Sequence, residues 1–489
     1  MTKDYLAITI GPIYKTIAKA SKPEEIWVSS YIFSYLMGLL LKGIVSRKIG
    51  KIILPDIILL ENWKMYHGAG VFSDRCFVEL DKKFDISDFE NLRDCVISDF
   101  ISGKPLSPLF ENEDIRQNLP GNLQGGALGS PRISPDALKD YLQIYGLVTA
   151  IDIDKESVIS KLNNLLDSLE CQSGYQSGGN GVIEQIYENI EWFYPSGFGD
   201  KIKTTHQYYC VVRINGDNIG HYYNFIGNDW DKVSRFNRCM LAVAKESAKT
   251  INDFGGQSVY MAGDDMFFLA PVQTTLRGNN YNIFDLIRLV DFQFKDVFSK
   301  NHIQTPTISC GLSILNSKYP MSEAISRSQY LLSQAKNMPL KNSVAVQLSY
   351  SCGKTNHAIF NKNKNGSFED FVELLKDFPD KSFYVSSVIG KIHDNMKLLQ
   401  AVGKDNPPDF SSFFNNEFET ADLDNTAKRL FLDRSSRIFT AIFKEQKSRY
   451  TIRETILDDE TMVKVGEEAV SQLDSIYRLL NFLTRTDHV

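Results

Sequence analysis

The sequence predicts an α+β fold: two domains of alternating strands and helices, with helical insertions, followed by a C-terminal helical bundle. Three observations predict it. Near the N-terminus, the β-rich alternating run Tyr5–Ile10 is broken by Gly11-Pro12 and followed by helical spacing and further strands. In the middle, strand-like runs from Tyr208 and Thr307 bracket an apolar hairpin around Gly263, and helical segments separate them. From about Phe368 onward, apolar residues recur with a 3.6-residue period. At 489 residues there is room for several domains. The boundaries fall at residues 1–100, 101–203, 204–355 and 356–489.

In chain order, Ile13–Ala20 reads as a first helix. Glu24–Val45 reads as a longer one, with Trp27, Tyr31, Tyr35 and Leu39-Leu40 near one face. Its most apolar part, Tyr31–Val45, is interrupted by Ser34 and Lys42; it is too short and too polar for a membrane span and suits a buried helix. Ile52–Pro55 and Gly70–Leu80 supply further strands, an alternation that suits a ferredoxin-like domain. Residues from about 85 to 203 are less regular, with Gly-, Asn- and Ser-rich loops at 118–126 and 173–181. Ser134-Pro135 marks a capped helix start, and Asp154–Leu169 a further helix. The stretch Gly179-Asn180-Gly181 lacks the Lys-Ser/Thr of a phosphate-binding loop and reads as a plain loop.

The chemistry sits in the middle. Tyr260-Met261-Ala262-Gly263-Asp264-Asp265-Met266-Phe267 reads as strand, tight turn, strand, with two acids at the tip. The strand Tyr208–Ile214 ends in Asn215-Gly216-Asp217-Asn218-Ile219-Gly220. Set beside the hairpin, that strand end brings three carboxylates together: Asp217, Asp264 and Asp265. Hard divalent cations favour such oxygen ligands, and paired ions serve phosphoryl transfer. A helix entry at Asn218, Ile219 and Gly220 offers backbone N–H groups to phosphate oxygens. The expectation is a polymerase-type palm. Taken alone, Gly-Asp-Asp also fits an ordinary solvated turn.

Composition bounds the rest. A net charge of −6 argues against a chain coated in nucleic acid. None of the seven cysteines forms a Cys-x-x-Cys pair, so neither a zinc ribbon nor a disulfide framework is suggested, and a reducing cytoplasm follows. The N-terminus, with Lys3 and Asp4 before Gly11-Pro12, does not read as a signal peptide.

A resemblance rests on these residues. Ile8–Ile13 followed by Trp27, Ser29-Ser30-Tyr31 and Ser34-Tyr35-Leu36 resembles the opening of the large subunit of type III CRISPR effector complexes, Cmr type. Asn215–Gly220, Ala262–Asp265, Ile308–Leu312 and the helix opening at Tyr319-Pro320 resemble that family's catalytic palm. More distantly, Ala335-Lys336 and Lys341-Asn342 are similar to elements of GGDEF-type cyclases. The resemblance implies ATP as substrate and Mg²⁺ or Mn²⁺ held by Asn215, Asp217, Asp264 and Asp265. It also implies phosphate contacts from Lys336, Gly263 and the Asn218–Gly220 backbone. Its product would be an adenylate second messenger, cyclic or an AMP conjugate. Partners would be the other effector subunits, guide RNA and target RNA, with no membrane. The alternatives are an inactive scaffold in the same complex and a stand-alone cyclic-dinucleotide synthase.

The chain departs from the pattern in three ways. Asn215 replaces the first Asp, which keeps an oxygen and loses a charge. Ala262 replaces the first hairpin Gly, at a turn that favours positive φ. No His-Asp nuclease domain is expected before Tyr5, and His393-Asp394 reads as a surface or structural pair. Lys428, Arg429, Arg434, Arg437, Lys444, Lys447 and Arg449 make the C-terminal bundle the most basic part, suggestive of a nearby phosphate backbone and equally of a solvated helix face.

Overall fold

A computed structural model describes residues 2–58, 69–101, 134–172, 181–188, 207–376, 382–402, 410–418, 426–451 and 457–484. The loops read at 118–126 and 173–180 lie outside these residues, as does the side chain of Lys428.

The first sheet has four strands: β1 (Thr2–Gly11), β2 (Gly50–Leu54), β3 (Arg75–Leu80) and β4 (Gln143–Asp152). Their order is β2-β3-β1-β4, with antiparallel pairing throughout. With α1 (Ile13–Ile17), α2 (Pro23–Ser46) and α3 (Ile86–Ile101), this is the ferredoxin-like β-α-β-β-α-β plan. β4 lies within the segment read from sequence as connecting, yet it pairs along the whole of β1, from Thr2 opposite Asp152 to Gly11 opposite Gln143. Its burial alternates poorly, which explains why its periodicity was weak. α4 (Pro135–Tyr141) leads into it, with Ser134 Oγ accepting from Ala137 N at 3.4 Å. α5 (Val158–Gln172) and α6 (Val182–Glu188) follow.

α2 is the core helix of this half. Pro23 pre-sets its first turn, and the Glu25 carboxylate accepts from the Lys22 N–H at 3.2 Å. At 24 residues it is longer than its apolar stretch suggested, and by length and composition alone it could cross a membrane. Yet 83% of its most apolar window is buried inside the fold.

The second sheet has six strands: β5 (Tyr208–Gly216), β6 (Gln257–Ala262), β7 (Asp265–Pro271), β10 (Ile308–Asn316), β11 (Ser343–Ser349) and β12 (Thr355–Asn361). The two strands between β7 and β10 in the chain, β8 (Gln273–Leu276) and β9 (Asn279–Asn282), pair only with each other. The six-stranded order is β12-β11-β10-β5-β7-β6. Its β10-β5-β7-β6 part repeats the ferredoxin-like plan, with α7 (Ile219–Ile226), α8 (Trp230–Asp253) and α9 (Ile283–Lys300) as crossovers. α10 (Met321–Lys336) packs on β10 and β11.

The two halves are stitched together by backbone. Gly70 N donates to Val259 O at 3.1 Å, and Met261 N donates to Gly70 O at 2.8 Å, so a segment of the first domain pairs with edge strand β6 of the second. Ser34 Oγ on α2 accepts from Val71 N and Phe72 N, both at 2.9 Å, and fixes that segment in place. The C-terminal bundle comprises α11 (Ser367–Lys376), α12 (Ser382–Asp394), α13 (Met396–Val402), α14 (Ser411–Phe418), α15 (Thr426–Thr451) and α16 (Asp459–Thr484). Its core stacks Phe410, Phe413, Phe414 and Tyr477 around Phe439, and α16 covers β12.

Candidate active site

Register decides which residues meet. β5 lies between β10 and β7, so Asn215 is opposite Ser309 on one side and Ile214 is opposite Met266 on the other. The end of β5 and the turn of the β6–β7 hairpin therefore converge, as the sequence pattern suggested. The hairpin turn has two residues, with φ +70° at Gly263. Positive φ at the first linking residue is the pattern of a type II′ turn, which asks for glycine there. Ala262 ends β6 and needs no such φ, so the expected strain at Ala262 is absent.

Asp264 and Asp265 are half-buried at this tip. Burial raises the Asp264 carboxyl above its usual range, and Lys336 opposes the shift. Asp265 is pushed up to about 6, by burial first, with the nearby cation Arg213 pulling the other way. Close approach makes Gly216 obligatory: a Cβ there would stand 2.8 Å from Asp264 Oδ2.

Asn215 bridges this site. Its oxygen accepts from Lys336 Nζ, and its amide hydrogen-bonds Asp265. Lys336, the last residue of α10, also donates to Gly216 O at 2.9 Å. It thus reaches across into the acids and is not a solvated helix-end lysine. Burial lowers its pKa, and the carboxylates of Asp217 and Asp264 oppose that. The N-terminus of α7 opens beside the site: Asn218 has φ +60°, and a Cβ at Gly220 would meet nothing within 4 Å.

Asp217 lies close enough to raise the Asp264 carboxyl, but it differs from the two hairpin acids in its partners. It is 2% exposed, and its carboxylate accepts from Thr307 Oγ1 at 2.8 Å, Ser309 Oγ at 2.8 Å and Asn342 N at 3.0 Å. Its oxygens face protein donors, where the sequence reading placed a cation.

Sequence reasoning passed over Arg213, Asp74 and Tyr14. Arg213 is 4% exposed, between the rings of Phe267 at 4.3 Å and Tyr14 at 5.1 Å. A lone charge inside an apolar strand was the signal available for it. Beside it, a cleft of about 400 Å³ opens between the two ferredoxin-like domains, lined by Tyr14, Asp74, Tyr145, Arg213, Tyr260 and Asp265. A larger groove of about 1070 Å³ runs along α8, α9 and the β8–β9 ribbon. Two of its carboxylates are held in ion pairs, Asp291 with Lys295 and Lys362, and Asp285 with Lys376. Of the two hairpin acids, Asp265 lines the smaller cleft and neither lines the larger groove.

Two family models match the chain. Residues 5–94 match the N-terminal region of the CRISPR-associated protein Cmr2, and residues 208–345 match the second palm domain of Cas10/Cmr2. Both matches are to the Cas10/Cmr2 family, and they support a Cas10/Cmr2 type III subunit. The Cas10/Cmr2 palm match runs from the first residue of β5 into β11, and so contains Asn215, the hairpin acids and Lys336. Among solved structures, the chain is similar to the type III-B Cmr-beta complex in its apo state, at 9% identity, covering 87% of this chain and 78% of that one, TM-score 0.52. It is also similar to the Csm1-Csm4 cassette in complex with cA4, at 11% identity, covering 99% of this chain and 70% of that one, TM-score 0.52. At these identities the likeness is one of fold. No curated protein matches the chain.

His393 of α12 contacts Asp474 and Arg478 of α16, with Nε2 3.2 Å from Asp474 Oδ1. Among the described residues, no group of three or more His, Cys, Asp and Glu side chains is placed to hold a metal ion. The basic residues of α15 are partly spent within the bundle: Arg437 pairs with Asp370 and Asp433, Arg434 lies near Asp370 and Glu373, and Arg449 contacts Gln446. Lys444 remains exposed.

Proposed function

We propose that this chain is the nucleotidyltransferase subunit of a type III CRISPR effector complex, making an adenylate second messenger from ATP. The observation that carries the reading is the convergence of Asp264, Asp265, Asn215 and Lys336 where β5, the hairpin and α10 meet, inside a family palm. The donor set is all oxygen, from Asp264, Asp265, the Asn215 amide and the Gly216 carbonyl, and it suits Mg²⁺ or Mn²⁺. Such ions, when bound, stabilise charge on the attacking and leaving oxygens of phosphoryl transfer.

The chain's own residues supply the rest. Lys336 and the open N-terminus of α7 neutralise the triphosphate. The interdomain cleft beside Asp265 holds the acceptor, so that its 3′-hydroxyl attacks the α-phosphate and pyrophosphate leaves. In this reading, activity is gated by target RNA in the assembled complex, which works in the cytoplasm; one structural neighbour is a Csm1-Csm4 cassette in complex with cA4.

The test incubates the assembled complex with labelled ATP and target RNA and identifies the product by mass spectrometry. Wild type yields an adenylate product; Asp264→Ala with Asp265→Ala yields none, while the subunit still assembles. Wild-type product from that double variant would sink the assignment. A scaffold without catalysis is the second reading, favoured by the single lost charge at Asn215; absence of product from the wild-type complex would establish it.

A further inference from the structure

We infer that Asp217 is a positioning residue that fastens the left-handed turn Leu340–Asn342 against the active-site strands and so presents Lys341 to the phosphates of the nucleotide. The inference rests on the nucleotidyl-transfer reading for its ligand and on local geometry for everything else.

The turn is unusual. Leu340, Lys341 and Asn342 have φ of +65°, +53° and +48° in succession, and none is glycine. L-residues avoid this region because Cβ crowds the following carbonyl, so such conformations persist only where the surroundings impose them. Packing does not impose it at the tip, where Leu340 is 83% exposed, while Asn342 is buried. Hydrogen bonds do. Asn342 N donates to Asp217 Oδ2 at 3.0 Å, and Asn342 Nδ2 donates to Asn363 Oδ1 at 2.8 Å. Lys341 N donates to Met338 O at 2.9 Å, and Lys341 O accepts from Ser343 Oγ at 2.7 Å.

Asp217 is the one charged group in that set, and it is itself braced. Thr307 Oγ1 and Ser309 Oγ donate to its carboxylate, each at 2.8 Å, and its own N–H donates to Thr307 O at 2.7 Å. One buried carboxylate thus joins the ends of β5 and β10 to the turn before β11. Charge-assisted bonds from backbone N–H groups are among the stronger ones available to a buried acid. The product of this bracing is the placement of Lys341. Its Nζ donates to Asn218 Oδ1 at 2.7 Å, at the left-handed residue that opens α7. With Lys336 on the opposite flank, a second ammonium then faces the phosphate-binding helix entry.

The assignment separates Asp217 from Asp264 and Asp265. A metal ligand and a positioning residue fail differently. In the assembled complex, two quantities are measured: equilibrium affinity for a non-hydrolysable ATP analogue, and Mn²⁺ binding without nucleotide. Asp217→Ala and Lys341→Met should each weaken analogue binding about tenfold, and the double variant should be no weaker than either alone. Asp217→Asn, which keeps an acceptor for Asn342 N, should restore affinity to within about threefold of wild type. Mn²⁺ binding should be unchanged in all of these and lowered by Asp265→Ala. If Asp217→Ala does not fold, Thr307→Val with Ser309→Ala removes the braces of the same carboxylate and carries the same expectations. Loss of Mn²⁺ binding in Asp217→Asn, or losses that multiply in the double variant, would overturn the assignment. A wild-type complex that binds no analogue would overturn the nucleotidyl-transfer reading instead; wild-type binding left intact by Asp217→Ala overturns this inference alone.

Discussion

Lys336 Nζ donates to the backbone carbonyl of Gly216 at 2.9 Å, tying the last residue of α10 to the last residue of β5. The contact spans 120 residues of chain and sets a cation among half-buried acids. It makes the lysine part of the site before any phosphate arrives.

Lys336→Met should therefore lower kcat/KM for ATP by on the order of a hundredfold, with part of the loss in KM, because a fixed cation is removed from the phosphates in both ground and transition states. Steady-state kinetics of the assembled complex checks this. A change in kcat/KM under about threefold would place Lys336 outside the reaction.

Asn215 bridges Lys336 and Asp265. Asn215→Asp adds a charge beside Asp265 and should lower the metal concentration needed for half-maximal activity. Asn215→Leu removes both bridging bonds and should impair activity. Metal titrations of the three proteins decide the matter, and an unchanged Leu variant would remove the residue from the site.

Ser34→Ala should leave the N–H groups of Val71 and Phe72 buried without their acceptor. The expected cost is about 1–3 kcal/mol. The loss falls on the segment that pairs with β6, so amide exchange at Met261 should quicken along with a fall in Tm. Equal exchange at Met261 in the variant would show that this stitch does not hold the two domains.

Glu445 accepts from Ser367 N at 2.9 Å and Ser367 Oγ at 3.1 Å, and so caps α11 from α15. Burial pushes its carboxyl up to about 7. A raised acid pKa means that the folded state holds the proton more tightly, so stability from this group is full below about 4.5 and falls as pH rises toward 7, then levels. The swing is on the order of 3 kcal/mol. Glu445→Gln should flatten that part of the stability–pH curve, read by denaturant melts at pH 5 and pH 8. An unaltered curve would mean that Glu445 is charged in the fold at both values.

Local chemistry was enough to place much of this protein. The alternation at Tyr5–Ile10, the apolar flanks of Gly263-Asp264-Asp265 and the 3.6-residue period after Phe368 each act within a dozen residues, and each formed the expected kind of element. The glycine at the hairpin's first turn position and the acids beside it follow from the same short-range rules. What local rules could not decide was pairing at a distance. β4 joined the first sheet because β1 offered a free edge along its whole length, a long-range choice invisible in its own weak pattern. Lys336 looked like an ordinary helix-end lysine until α10 packed across β10 and β11 and aimed it at Gly216. Asp217, one residue beyond the strand, looked equivalent to Asp264 and Asp265. Only the arrival of Thr307, Ser309 and Asn342 from two other elements turned its carboxylate inward, because a buried acid takes the donors that tertiary packing brings to it.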